Sequence, residues 1–318
     1  MSTAKAEPVR TVSGTRGASL LKRIRVNWML YLFLIPCLVY AAIFWYAPMA
    51  GLVMSFKRYN PMQGMFGSPW VGLEHFRRFF DSYMFGTILK NTLFLSIYSF
   101  LAGMPIPVLL AIAFQYCRSS RASKTVQTIA YAPYFISVVV LVAMLMVFLS
   151  PRTGLINIVM RDYLGGTPIN FMTEEKYFRH LYVWSGVWQN AGWNSIIYTA
   201  ALAGSEVQLH EAAVIDGASK WRRVWAIDIP VLIPTFVILQ IMNIGSIMSV
   251  GFEKVYLMQN SANIMVSEII STYTYTLGIK GGEISYTTAI GLFNNIINFV
   301  LLMAANFISG KATKISVV

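Results

Sequence analysis

The sequence predicts an all-α protein whose helices cross a membrane six times, and three observations predict it. Only 12% of the 318 residues are charged while 56% are hydrophobic, whereas a water-soluble domain carries about 25% charged residues. Six runs of 24 residues or more hold no Asp, Glu, Lys, Arg or His: 26–56, 91–117, 125–151, 181–205, 229–252 and 284–310. A spanning helix needs roughly 20 such residues, and buried helices of a soluble protein rarely run so far without a polar face. The third observation is where the basic residues fall. With the N-terminus in the cytoplasm, 14 Lys and Arg lie on the inner side and 11 on the outer side, although the outer loops are longer. Short basic loops stay in the cytoplasm; Lys22, Arg23 and Arg25 before the first run, and Arg118, Arg121 and Lys124 after the second, carry this bias. Lys57 and Arg58 work against it.

Taken in order, residues 1–28 form a cytoplasmic N-terminal segment, of which 1–20 are polar and of the composition of a loose surface segment. The membrane-spanning body occupies 29–310, with spans at about 29–56, 91–117, 125–151, 181–205, 229–252 and 284–310, and 311–318 is a cytoplasmic tail. The first run is too long for the apolar region of a cleaved signal, about 7–15 residues, so it reads as a permanent span. Pro36, Pro48, Pro105, Pro107 and Pro133 fall within spans, where proline is tolerated and kinks the helix. Residues 57–70 are turn-rich. Leu73, Phe76, Phe79 and Phe80 then recur at helical spacing, which fits a short amphipathic helix lying at the membrane interface or equally a loop helix packed on the bundle. Cys37 and Cys117 imply neither a disulfide framework nor a thiolate metal site.

Much chemistry is missing. No G-x-x-x-x-G-K-[ST] occurs, so the chain has no phosphate-binding loop of its own. His75, His180 and His210 are far apart and lie in loops. Within the spans as drawn no ionisable group is available for a proton relay. The net charge of +12 is mostly a topology signal, since no basic face of a nucleic-acid-binding module is visible. No catalytic residues, no metal ligands and no nucleic-acid partner are expected.

The loop between the fourth and fifth runs is different in kind. It reads HEAAVIDGASKWRRVWAIDIPVLIP over 210–234. The first part is helix-forming, Gly217 is placed to end that helix with positive φ, and Ser219 can cap a second short helix. Trp221, Val224 and Trp225 form one apolar stripe on it, and Pro230 and Pro234 lead into the fifth span. The product is a helix–turn–helix elbow at the inner membrane surface.

Here the residues carry a resemblance. Glu211-Ala212-Ala213, Asp216-Gly217-Ala218 and Ile229-Pro230 with Pro234 resemble the EAA loop of binding-protein-dependent ABC importer permeases, in the carbohydrate branch. The stretches YNP, GSPWVGLEHF, YAPYFIS, SPRTGLIN, PINF and GWNSIIYTAALAG extend the likeness over roughly 25–310, and are similar to the oligosaccharide and polysaccharide permeases of the LplB type and of alginate importers. The resemblance implies the type I importer permease fold in a bacterial inner or plasma membrane, with both termini cytoplasmic. It implies ATPase coupling through Glu211, Ala212, Ala213, Asp216, Gly217 and Ala218. It implies a heterodimer with a second permease, two copies of an ATPase that bind ATP and Mg in place of this chain, and an extracytoplasmic solute-binding protein. The expected function is uptake of an oligosaccharide or polysaccharide fragment. A secondary carrier or channel for a neutral polar solute would prefer intramembrane charges, and a membrane enzyme acting on lipid-linked sugar would need catalytic carboxylates or histidines near an interface.

A saccharide asks for neutral hydrogen-bonding groups and aromatic faces. The fourth run offers Gln189, Asn190, Trp193 and Asn194 at i, i+3 and i+4 spacing. The fifth offers Gln240, Asn243 and Ser246, and the sixth Asn294, Asn295 and Asn298. At about 1.5 Å per residue these cluster near the middle of a core about 30 Å thick. Either they line a substrate path, or they are amides that join helices through interhelical hydrogen bonds.

Overall fold

The computed structural model describes residues 26–117 and 119–313. The loose segment expected at 1–20 and the residues 314–318 of the tail lie outside the described residues. The chain divides into two compact units, up to Val53 and from Met54 onward. The first unit holds α1 (Trp28–Ala41), with Pro36 inside it, which passes through a π-helical turn at Ala42–Tyr46 into 3-10 turns over Ala47–Phe56, the last of them beyond the unit's end at Val53. The stretch Trp28–Phe56 is long and apolar enough to cross a membrane.

The described secondary structure of the second unit is helical apart from one isolated antiparallel bridge between Lys57 and Trp70. Helix α2 is Glu74–Phe80. Helices α3 (Phe85–Gly103) and α4 (Pro105–Gln115) run together as one 31-residue apolar stretch. Pro105 is accommodated because it opens α4, where its missing N–H leaves no bond unmade. Next come α5 (Ser120–Tyr131), α6 (Val138–Phe148), α7 (Leu155–Asp162) and the 29-residue α8 (Glu175–Ala203). The elbow contains α9 (Val207–Ile215), α10 (Lys220–Arg223) and a π-helical turn at Val224–Asp228. After it follow α11 (Ile229–Ile244), α12 (Phe252–Met258), α13 (Ile264–Ser267), α14 (Ile270–Thr274) and α15 (Ile284–Thr313).

Three of the expected spans take a different form. Among the described residues four helical stretches are long and apolar enough to cross a membrane, and a fifth if α5 and α6 are one broken span. That third run turns through 96° between Ser120–Phe135 and Val138–Phe148. Pro133 sits in the 3-10 turn at the break, and the Ser137 hydroxyl caps α6 by accepting from the Val140 N–H at 3.3 Å. A proline kink alone bends a helix less; here a new helix is nucleated. The fourth run, as far as Ala203, lies within α8, which is long enough to cross but made more polar by Gln189, Asn190 and Asn194. The fifth run stops being helical at Ile244, well before residue 252. The backbone of 245–251 leaves the helix because α15 supplies its missing partners: Asn298 Oδ1 accepts from the Met248 N–H at 2.9 Å, and Asn298 Nδ2 donates to Ser249 Oγ at 3.1 Å. Irregular backbone at membrane depth is tolerated where protein or a cavity covers it.

Helix α8 organises the bundle, packing along α3, α4, α5 and α11. One core gathers Leu95, Val142, Phe178, Val183, Val255 and Ile269 around its first half, and another joins its second half through Tyr198 and Leu202 to Ala111 and Leu232. Gly192 makes the closest approach: a Cβ there would lie 1.9 Å from the Ala130 carbonyl oxygen of α5. The helix expected within 71–80 packs one face on the bundle, while Leu73 and Phe80 remain exposed. Phe79 is buried on α15, edge-on to Phe85, Tyr286 and Phe293 with ring centroids 5.0–6.5 Å apart.

Candidate functional site

Two adjoining cavities open along α8, of about 370 Å³ and 860 Å³. Both are bordered by Ser99, Gly103, Tyr182, Asn194 and Gly251, so they form one cleft. Its long wall is a single line of α8 at i, i+4 spacing: Tyr182, Gly186, Asn190, Asn194 and Tyr198. Residues four apart stack on one helix face, and this line alternates aromatic, amide and glycine. The opposite wall is α3, through Ser96 and Ser99, and α11 with the unwound 245–251 segment, through Gln240, Asn243, Ser246 and Ser249.

The cleft is polar without being charged over most of its length. Asn190 Nδ2 donates to the Gly186 carbonyl at 2.8 Å, which leaves its Oδ1 for the cavity. Gln240 Nε2 donates to the Tyr198 hydroxyl at 3.3 Å, while its buried Oε1 has no partner among the described residues. Asn194, Asn243 and Ser246 are exposed into the space. The charged exceptions are Glu253 and Lys254, the latter buried.

Not all residues expected on a path are brought together. Gln189 borders the larger cavity, but its Nε2 donates to the Ile136 carbonyl at 2.7 Å and so holds the break in the third run. Trp193 borders neither cavity. It stacks on Tyr134 with centroids 4.4 Å apart and planes 5° apart, bracing the same break. Asn294, Asn295 and Asn298 border neither cavity either. Asn298 is consumed by the Met248 and Ser249 bonds, Asn295 is exposed, and Asn294 keeps a buried Oδ1 without a partner among the described residues. Sequence reasoning passed over Ser96, Ser99, Tyr182 and Tyr198, which line the cleft; the i+4 line on α8 was the available signal. Lys254 was counted only as a loop charge.

The elbow forms as its residues dictate. Gly217 has φ 74°. Its N–H donates to the Val214 carbonyl at 3.0 Å and the Ala218 N–H to the Ala213 carbonyl at 2.8 Å, the pair of bonds that closes a helix in a Schellman motif. Ser219 Oγ accepts from the Arg222 N–H at 3.3 Å and starts α10. Glu211, Ala212 and Asp216 are exposed, and Ala213 and Ala218 are half-buried. Beside them Ile215, Trp221 and Trp225 are 85%, 75% and 69% exposed, an apolar surface that this chain leaves uncovered. The expected stripe is split, because Val224 turns inward at the start of the π-helical turn. That turn also buries Asp228 completely. The Tyr116 hydroxyl, just past α4, donates to Asp228 Oδ2 at 2.7 Å, and His210 Nε2 of α9 lies 3.3 Å from Oδ1. One carboxylate thus links the elbow to the end of the second run.

Comparison with known proteins agrees with this geometry. Residues 83–314 match the family described as binding-protein-dependent transport system inner membrane component. The polygalacturonan/rhamnogalacturonan transport system permease protein YteP of Bacillus subtilis is 42% identical over 292 residues, covering 92% of this chain and 90% of that protein. Protein LplB of the same organism is 39% identical over 304 residues, covering 96% and 95%. A chain in the crystal structure of a bacterial ABC transporter involved in the import of the acidic polysaccharide alginate superposes with a TM-score of 0.86 at 38% identity, covering 93% of this chain and 99% of that one. The chain therefore belongs to the family of binding-protein-dependent transport system inner membrane components, as a multi-pass, non-catalytic permease subunit of an ABC transporter with the type I importer fold.

Proposed function

We propose that this chain is one of two permeases of an importer that carries an oligosaccharide or polysaccharide fragment into the cytoplasm, driven by ATP hydrolysed on partner chains. The observation that carries this reading is the cleft along α8, walled by amides, hydroxyls and tyrosine rings from α3, α8 and α11. A sugar presents many hydroxyls and weakly apolar ring faces. Neutral donors and acceptors exchange with its hydration shell at little net cost, about 0.5–1.5 kcal/mol per bond, so it can enter and leave. Relatives named for polygalacturonan and alginate import support the substrate class.

The elbow is the proposed ATPase contact. Glu211, Ala212, Ala213, Asp216, Gly217 and Ala218 present a short rigid helix with small side chains, and the exposed Ile215 and Trp221 beside them want a protein surface to cover them. A push on α9 is delivered to the second and fifth runs through His210, Asp228 and Tyr116. In the assembly this reading requires, a second permease completes the path, two ATPase copies hold ATP and Mg, an extracytoplasmic solute-binding protein delivers the sugar, and both termini are cytoplasmic. A solved alginate transporter in complex with a pentasaccharide-bound periplasmic protein supports such an arrangement. The test is ATPase activity of the co-purified complex, with binding protein, against a panel of oligosaccharides. Stimulation by one saccharide class is the expected result. A chain that purifies without an ATPase, or saccharide uptake indifferent to ATP, would overturn the reading.

A further inference from the structure

Lys254 is out of place in a neutral cleft. It lies in the first turn of α12, directly after the unwound 245–251 segment, and borders the 860 Å³ cavity while only 8% exposed. Its Nζ donates to the Tyr182 carbonyl at 2.7 Å and lies 4.9 Å from the centroid of the Tyr182 ring. An ammonium has three protons, and no second acceptor is found for it among the described residues. Nor, among the described residues, does a carboxylate lie within ion-pair distance of it; the Arg and Lys pairs found there are Arg58–Glu74, Arg78–Glu283 and Arg161–Asp162. Glu253, its neighbour in sequence, borders the same cavity but is exposed and does not pair with it.

Burying an unpaired charge is costly, and burial pulls this amine down to about 8. The surroundings make room for it. A Cβ on Gly186 would come within 3.1 Å of Nζ, so the glycine in the α8 line sits where the ammonium needs space. Asn190 follows one turn along the same line, with its Oδ1 free.

We propose that Lys254 reads the carboxylate of a uronic-acid residue as the saccharide passes the cleft. This rests on the saccharide-import reading above and narrows it to acidic saccharides. The carboxylate supplies the acceptors that the ammonium lacks, and a charge-assisted bond of this kind is roughly twice as strong as a neutral one. A single compact ammonium matches a single-charge group. Asn190 and Asn194 then meet the hydroxyls on neighbouring positions.

The first readout needs no variant. In the assembled wild-type complex, acylation of Lys254 is followed by mass spectrometry with trigalacturonate, with its neutral counterpart galactotriose, or with neither. Trigalacturonate should slow modification fivefold or more while galactotriose leaves the rate unchanged, and the exposed Lys176 serves as the internal control. Equal protection by both sugars, or by neither, overturns the proposal. The second readout is the half-saturating trigalacturonate concentration for ATPase stimulation. It should rise tenfold or more in Lys254→Gln and distinctly less in Lys254→Arg. If the two variants lose yield together with half-saturation unmoved, Lys254 is only a tie between α12 and α8 and the proposal fails. The saccharide-import reading itself stands or falls separately, on whether any saccharide of the panel, acidic or neutral, stimulates the complex.

Discussion

Gly217 closes α9 with φ 74°, and the consequence of replacing it can be worked out from its surroundings. Placing an L-residue in the left-handed region costs roughly 1–2 kcal/mol, more for a β-branched residue and less for Asn, whose side chain tolerates the region. A Cβ at this position would meet nothing within 4 Å, so within this chain the penalty is conformational and not steric. Leaving that conformation also breaks the Gly217–Val214 and Ala218–Ala213 bonds, at about 1 kcal/mol each. Gly217→Ala should therefore cost about 1–2 kcal/mol of local stability and Gly217→Val about 3. Each 1.4 kcal/mol is a tenfold change in the population of the formed elbow. The expected order of ATP-dependent transport is Gly, then Asn, then Ala, then Val, with Val near zero while the chain still inserts. The assay is uptake in proteoliposomes alongside retention of the ATPase on purification. The order separates two causes. If crowding of a docked partner dominated, Asn, the larger side chain, would be worse than Ala. That result, or transport by Gly217→Val at the wild-type level, would refute the reasoning.

Other outcomes are expected elsewhere. Gly192→Ala drives a Cβ to 1.9 Å from the Ala130 oxygen, a backbone atom that cannot rotate away; overpacking of this kind costs about 3 kcal/mol, and the melting temperature of the purified chain should fall by several degrees, an unchanged value counting against the α5–α8 contact. Asn298→Ala removes the acceptor of the Met248 N–H and the donor to Ser249, so it should cost about 1–3 kcal/mol and lower yield for every sugar alike. Asn243→Ala, exposed into the cleft, should instead leave yield intact and change transport unevenly across sugars; identical behaviour of the two variants would show that the cleft is misassigned. With Cys37 and Cys117 replaced, Met62→Cys should react with an impermeant thiol reagent on cells whose outer face is accessible, and Ile215→Cys should not. Both positions are well exposed, at 94% and 85%, so labelling of the second would reverse the orientation.

The sequence by itself determined what depends on neighbours along the chain. A deficit of charge marks a membrane helix because lipid excludes it, wherever the helix packs. The elbow was legible to single residues, since a glycine after a helical stretch and a serine two positions later specify caps through bonds between residues three to five positions apart. Which face of each span meets the cleft was decided only by the tertiary structure. Asn190, Asn194, Gln189 and Trp193 look equivalent in sequence, yet Asn190 and Asn194 stand in the line that walls the cleft, while Gln189, at its border, spends its amide on Ile136 and Trp193 stacks on Tyr134, more than 50 positions away. Asn298 read as a path residue, but it is what allows 245–251 to unwind, through bonds to Met248 and Ser249 some 50 positions earlier. Periodicity gives a helix its stripes and says nothing about what will stand opposite them. A buried amide is consumed by the nearest unsatisfied backbone group, and that group is brought near by packing between helices. The same holds for Lys254: its sequence neighbours mark it as a loop charge, and only the approach of Tyr182 and the bare Cα of Gly186 turn it into an ammonium facing a cavity.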